Sequence, residues 1–188
     1  SGGFSIALRE FEKERDQYVS SVLSLTSIVA IGVALLYFVA PSFWNNITGL
    51  PTHLMILLLI GLLVAPARDF WLSRQRFEYR YKLSGTMTTL SAVVASGLAV
   101  AAVLYANNVD FSDIASVRLF ANYSIVYGVA LIIWFSIFIK GRCFYSPKYW
   151  KFSLQLSLPL IGYSIASQIL NVSDRLMISK MVGNSAVG

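Results

Sequence analysis

ARDFWLSRQRFEYRYK, residues 67–82, carries Arg68, Arg74, Arg76, Arg80 and Lys82 against only Asp69 and Glu78. On its N-terminal side no Asp, Glu, Lys or Arg occurs from residue 17 to 67, and on its C-terminal side none occurs from 83 to 109. A dense basic block between two long uncharged runs is the pattern of a short loop joining membrane spans, because lysine and arginine resist transfer across a bilayer. This stretch therefore decides the fold.

The rest of the chain follows the same rule. Of 188 residues, 56% are hydrophobic and 13% are charged, whereas a soluble domain carries about 25% charge. Further uncharged runs cover 119–139 and 152–173. A helix needs about 20 apolar residues to cross a bilayer. Three of the four uncharged runs supply one span each. The run at 17–67 supplies two, divided at PSFWNNITGLP (41–51), where Pro41, Asn45, Asn46, Gly49 and Pro51 provide turn chemistry. The expectation is an all-α integral membrane protein with five spans at about 18–40, 52–72, 83–106, 119–140 and 152–172. Helices satisfy their own backbone hydrogen bonds in hydrocarbon, and the ten-residue alternation of a membrane barrel is absent. The chain starts SGGFSIALRE, without an initiator methionine or a signal-peptide pattern, and reads as a piece of a larger polytopic protein.

The loops alternate in charge. Residues 1–17, the opening stretch and KGRCFYSPKYWK (140–151) together hold 12 of the 15 lysines and arginines. The intervening segments hold only Arg118, Arg175 and Lys180. By the positive-inside rule, residues 1–17, 73–82 and 141–151 face the cytoplasm. Aromatic residues flank the same levels, as an interfacial belt requires. The basic stretch then has two readings. It is a topology signal whose arginines sit among lipid phosphates at about 1 kcal/mol each, or some of its arginines line an entrance that attracts an anion, a task that suits the planar guanidinium fork.

Reactive side chains are scarce. His53 and Cys143 are the single histidine and cysteine, so no metal cluster, disulfide or Cys–His nucleophile is expected, and no phosphate-binding glycine loop occurs. His53 reads as a polar contact at a span end and Cys143 as an inert thiol. Neither an enzyme nor a cofactor protein nor a nucleic-acid binder is indicated. Two spans carry more than hydropathy. In the third, Ser84, Thr88, Ala92, Ser96 and Ala99, widened by Ala95 and Gly97, form a small-residue face for close helix packing. In the fifth, Ser157, Ser164, Gln168, Asn171 and Arg175 share one face, and Pro159 interrupts the helix near its start. Such a stripe turns toward protein or water, and interhelical bonding and a water-filled path account for it equally.

The order of these features brings in a family. The RFEYRYK block (76–82) opens one span. PKYWKFSLQLSLPL (147–160) opens a later one, and SDRLMISKMVGNSAVG (173–188) follows that span's far end. With ERDQYVSSVLSL (14–25), this arrangement resembles the polysaccharide-transporter, or O-antigen flippase, family of the multidrug/oligosaccharidyl-lipid/polysaccharide exporter superfamily. The resemblance implies two six-helix bundles enclosing a cavity. Residues 1–148 would supply helices three to six of the first bundle, and 149–188 the start of the second, with Gly141, Ser146 and Pro147 as punctuation of the linker. It implies a flippase that moves an undecaprenyl-diphosphate-linked oligosaccharide between leaflets of the bacterial inner membrane, alongside polysaccharide polymerase machinery. Arg76, Arg80 and Lys151 are implied at the cytoplasmic mouth, and Gln168, Asn171 and Arg175 in the outer part of the cavity. The alternative within the superfamily is a drug/cation antiporter, and a more distant one is a membrane polysaccharide ligase or acyltransferase. The absence of a buried acid in the spans counts against the first of these. The short outward loops count against the second.

Overall fold

The computed structural model describes the backbone of residues 2–108 and 113–182, and the side chains of 4–108, 113–170 and 173. Helix α1 spans Gly2–Glu10 and a 3-10 turn spans Glu12–Glu14. Then follow α2 Arg15–Val39, α3 Pro41–Thr48, α4 Thr52–Phe77, α5 Tyr81–Asn108, α6 Ile114–Gly141 and α7 Pro147–Val182. No strand occurs among the described residues. The chain divides into two compact units, Ser1–Trp150 and Lys151–Gly188.

Four helical segments of the first unit are long and apolar enough to cross a membrane: Glu12–Val39, Thr52–Phe77, Tyr81–Asn108 and Ile114–Gly141. The expected fifth segment, 152–172, is helical within α7 but is not among these four. Its serines, Gln155, Gln168 and Pro159 dilute its leucines and isoleucines. Pro159 lies inside α7 rather than ending it, and the helix continues through Val182 where a loop was expected.

The break at 41–51 is partly helical. Pro41 opens α3 at its first position, where a missing N–H costs nothing. Gly49 ends α3 in the left-handed region at φ 67°, its N–H donating to the Asn45 carbonyl. The Asn45 side chain accepts from the Tyr37 hydroxyl at 3.1 Å and donates to Thr52 Oγ1 at 2.9 Å. It ties α2 to the start of α4 above a cluster of Tyr37, Met55 and Leu59. The residue read as loop punctuation is thus a three-way connector.

Helix α6 packs against α2, α4 and α5. Leu23, Ala67 and Ile133 form the shared core of α2, α4 and α6, with Phe70, Trp71, Trp134 and Phe138 around it, and Trp134 Nε1 donates to Ser27 Oγ at 3.2 Å. Helix α5 packs chiefly on α6 through Ser84, Ser91, Ala95, Ala99 and Ala106. The expected small-residue face is therefore rotated by one position in mid-helix. Ala92, Ser96 and Gly97 are exposed, because 91, 95, 99 and 106 share a face that 92 and 96 flank.

The helix α1 was not foreseen. It buries Ala7 and Leu8 completely and stacks Phe4 on Phe70 of α4, with centroids 4.9 Å apart. Beside it, Phe11, Tyr18 and Tyr149 form an aromatic cluster with centroids 5.0–5.7 Å apart. The Tyr149 hydroxyl donates to Glu14 Oε2 at 2.7 Å. Burial, then this hydrogen bond, pushes the Tyr149 pKa up to about 12. A raised acid contributes stability below its unfolded value, near 10, and loses it as pH climbs toward the folded value. Tyr149→Phe is expected to cost about 0.5–1.5 kcal/mol at neutral pH. The difference between the two proteins should shrink between pH 10 and about 12, read as thermal midpoints in detergent; an unchanged midpoint at pH 7 would remove the bond from the account.

Candidate functional site

Three helix ends carrying most of the charge meet at one end of the first unit: the start of α2, the end of α4 and the end of α6. Arg74, in the last turn of α4, ion-pairs with Asp16 of α2 and donates from Nε to Glu78 Oε1 at 2.8 Å. Glu78 lies one helical turn beyond Arg74, the spacing at which side chains meet on a helix surface. Three backbone bonds then reverse the chain: Glu78 N–H to the Arg74 carbonyl, Tyr79 N–H to Arg76 and Arg80 N–H to Gln75, at 2.8–3.2 Å. This reversal holds Tyr79 in the left-handed region at φ 57°, where glycine is the usual occupant. It brings Arg80 back over α4, with Arg80 Nε 3.8 Å from the second Glu78 oxygen.

The helices enclose a cavity of about 460 Å³ here, into which Asp16, Arg74, Gln75, Glu78, Arg80, Ser136 and Lys140 all face. The charges are not equivalent. Arg74 is matched by two carboxylates, Arg80 shares one of them at longer range, and Lys140 takes part in no ion pair among the described residues. Two carboxylates against three cations leave one positive charge in excess. The buried amide oxygen of Gln75 also lacks a hydrogen-bond partner among the described residues. A recess of about 470 Å³ at the same end shares Asp16, Arg74 and Lys140 and adds Lys13, Arg15 and Arg142 together with the carboxylates of Glu12 and Glu14. Together these groups can receive an anion on Lys140 and Arg80 without breaking the Arg74 bridge that joins α2 to α4.

The cavity rests on a close approach of α6 to α2. Gly141 is the last residue of α6 and is buried; a Cβ there would strike Ser20 and the Asp16 carbonyl oxygen. The left-handed cap is Arg142, φ 48°, whose N–H donates to the Phe138 carbonyl at 3.1 Å. Gly141 is thus a contact residue rather than linker punctuation, and Pro147 begins α7.

At the opposite end, His53 Nε2 lies 2.9 Å from Ser116 Oγ and 3.7 Å from Asp113 Oδ2. Asp113 caps α6 by accepting the Ser116 N–H at 3.1 Å. Its bonds from Ser116, through side chain and then backbone, hold its carboxyl below the usual range. His53 is a polar contact joining α4 to α6, as its position in the sequence suggested.

Of the residues singled out from the sequence, Arg80 lines the cavity. Arg76 is exposed and does not line it. Lys151 and Gln168 are exposed residues of the second unit. The side chains of Asn171 and Arg175 lie outside the described residues. Asp16, Arg74, Gln75, Glu78 and Lys140 were not picked out. The Arg74–Glu78 spacing was a legible signal, whereas the Asp16 partner lies 58 residues away and left no trace in local pattern.

Four long apolar helices, joined by short loops with their basic residues at one end, make this an α-helical multi-pass membrane protein. The chain belongs to the polysaccharide biosynthesis protein family, whose model matches residues 2–188. The resemblance drawn from the basic block and the PKYWKFSLQLSLPL motif therefore holds at the level of the family. No curated protein and no solved structure matches the chain.

Proposed function

We propose that this chain is the flippase type of polysaccharide biosynthesis protein. It moves an undecaprenyl-diphosphate-linked oligosaccharide from the inner to the outer leaflet of a bacterial cytoplasmic membrane, without catalysing a covalent step. The observation that carries this reading is the charged cavity at the basic end, where among the described residues Lys140 has no counter-ion and Arg80 only a shared one. A diphosphate cannot enter hydrocarbon unaccompanied, and a cation-bearing cavity at the cytoplasmic level accepts the head group while the polyprenyl tail stays in lipid.

The 12-to-3 distribution of basic residues supports a cytoplasmic position for that cavity. In this reading 152–172 is a fifth span, which turns Ser157, Ser164 and Gln168 toward a second bundle beginning at Tyr149. Its polar face, exposed in the second unit taken by itself, then meets protein or water rather than lipid. Arg80 and Lys140 gather the anion at the cytoplasmic mouth; in the second unit, Lys151 serves the cytoplasmic level and Gln168, Asn171 and Arg175 the outer half of the path. The polymerase machinery that consumes the lipid-linked sugar on the far side is the natural partner. The cation-antiporter alternative is weaker, because both carboxylates of the cavity are already engaged by Arg74.

Reconstitution of the full-length protein provides the test. With a polyprenyl-diphosphate oligosaccharide confined to the inner leaflet of proteoliposomes, a membrane-impermeant glycosidase outside should cleave it in a time-dependent way only when the protein is present. A cleavable fraction no larger than in protein-free vesicles would overturn the proposal.

A further inference from the structure

Helices α5 and α6 leave a groove of about 750 Å³ between them, at the end of the first unit opposite the basic loops. On α5 it runs from Leu104 to Ser96 and on α6 from Ala115 to Asn122. At 1.5 Å of rise per residue the α5 wall is about 12 Å long. That wall is mostly apolar, and Val100 and Leu104 are 60% and 62% exposed. Set into the other wall is Arg118, four residues inside an apolar span.

Arg118 is unusual in two respects. Among the described residues of the first unit it is the only lysine or arginine at this end. Its side chain also takes part in no ion pair or hydrogen bond with another described residue. The nearest carboxylate in sequence, Asp113, is committed to the Ser116 N–H and faces His53. A guanidinium at this depth without a counter-ion is costly unless an anion or water reaches it. One turn deeper, half-buried Asn122 adds an amide to the same groove, and Ser96 adds a hydroxyl from α5. The groove therefore offers one positive charge near the span end, neutral hydrogen-bonding groups below it and an apolar wall alongside.

An anion with an attached hydrocarbon chain matches all three, and at this depth in a bilayer the abundant one is a phospholipid. We propose that the α5–α6 groove is a phospholipid-binding site. The lipid phosphate lies on the Arg118 guanidinium, its glycerol or ester oxygens bond to Asn122 and Ser96, and an acyl chain runs over Val100, Val103 and Leu104. The site is separate from the cavity at the basic end and does not depend on how that cavity is used.

The test is native mass spectrometry of the full-length protein, delipidated in detergent and titrated with phosphatidylglycerol or with diacylglycerol, which lacks the phosphate. The wild type should retain one phosphatidylglycerol and bind diacylglycerol at least about tenfold more weakly, the scale of one charge-assisted contact. Arg118→Ala should lose that preference, and Arg118→Lys should keep part of it. Val100→Trp leaves the charge in place but fills the groove, and should lose the lipid as well. Should Arg118→Ala fail to fold, Arg118→Lys and Val100→Trp decide the matter. The proposal is overturned if Val100→Trp binds like the wild type, if diacylglycerol binds equally well, or if inorganic phosphate displaces the lipid at equal concentration.

Discussion

With Lys140 and Arg80 both replaced by alanine, surface-polysaccharide export is expected to fall by about 100-fold while the protein stays in the membrane at its usual level. Hydrogen bonds to charged groups contribute about 1.5–3 kcal/mol each, and 1.4 kcal/mol is about tenfold, so each single variant should lose about tenfold or more. Lys140→Arg and Arg80→Lys keep the charge and should retain much of the activity. Arg76→Ala is the informative control. It removes an equal charge two residues from Gln75's neighbour Arg74, yet Arg76 is exposed and outside the cavity, so export should stay near normal. Surface polysaccharide is scored against membrane abundance in cells lacking their own copy. If Arg76→Ala and Arg80→Ala are equally damaging, the basic stretch acts as a diffuse topology or head-group signal and the cavity has no special part. The double variant leaves most of the 12 basic residues on that side, so orientation in the membrane should not change.

Gly141→Ala is expected to cost about 1–3 kcal/mol, the usual range for forcing a methyl group into a packed interior. Alanine is the better helix former by about 1 kcal/mol, so the clash must outweigh that gain. It does so at Gly141 because the obstructing atoms include the Asp16 carbonyl, which is backbone and cannot rotate away. Relieving the clash separates α6 from α2 at the end where Lys140 and Asp16 share the cavity, so export should fall with stability. Gly61 is the contrast. A Cβ there meets the hydroxyl of Tyr127, the far end of a flexible side chain, which can move on its stack with Tyr123. Gly61→Ala should therefore change the thermal midpoint less than Gly141→Ala. Equal midpoints for the two variants would show that the α2–α6 approach is not a rigid constraint.

The candidate site was legible only in part, and particular residues show why. Arg80 is implied by the family resemblance, within a stretch whose five cations in sixteen residues are a one-dimensional signal shared with Arg76. Lys140 belonged to the same charge count, but nothing local distinguished it from Lys148. Only the ion pairs do so: Lys148 lies 3.6 Å from Glu14, while Lys140 has no carboxylate partner among the described residues. Arg74 looked like one more loop cation and is instead the bridge between α2 and α4. In the sequence Gly141 reads as punctuation of the linker, whereas Arg142 takes the left-handed conformation and Gly141 serves contact.

By itself the sequence determined that the chain is helical and membrane-embedded, roughly where its first four long helices lie, which loops are basic, and to which family it belongs. These are consequences of local composition, since transfer of a 20-residue segment into hydrocarbon depends on that segment alone. The tertiary structure decided which charges are neutralised and which remain free, which face of α5 is covered, that α1 docks beneath α4, and that α5 and α6 leave a groove around Arg118. Those features depend on pairs of residues far apart in the chain, such as Asp16 with Arg74, and pairwise proximity between helices is set by packing that no hydropathy window contains.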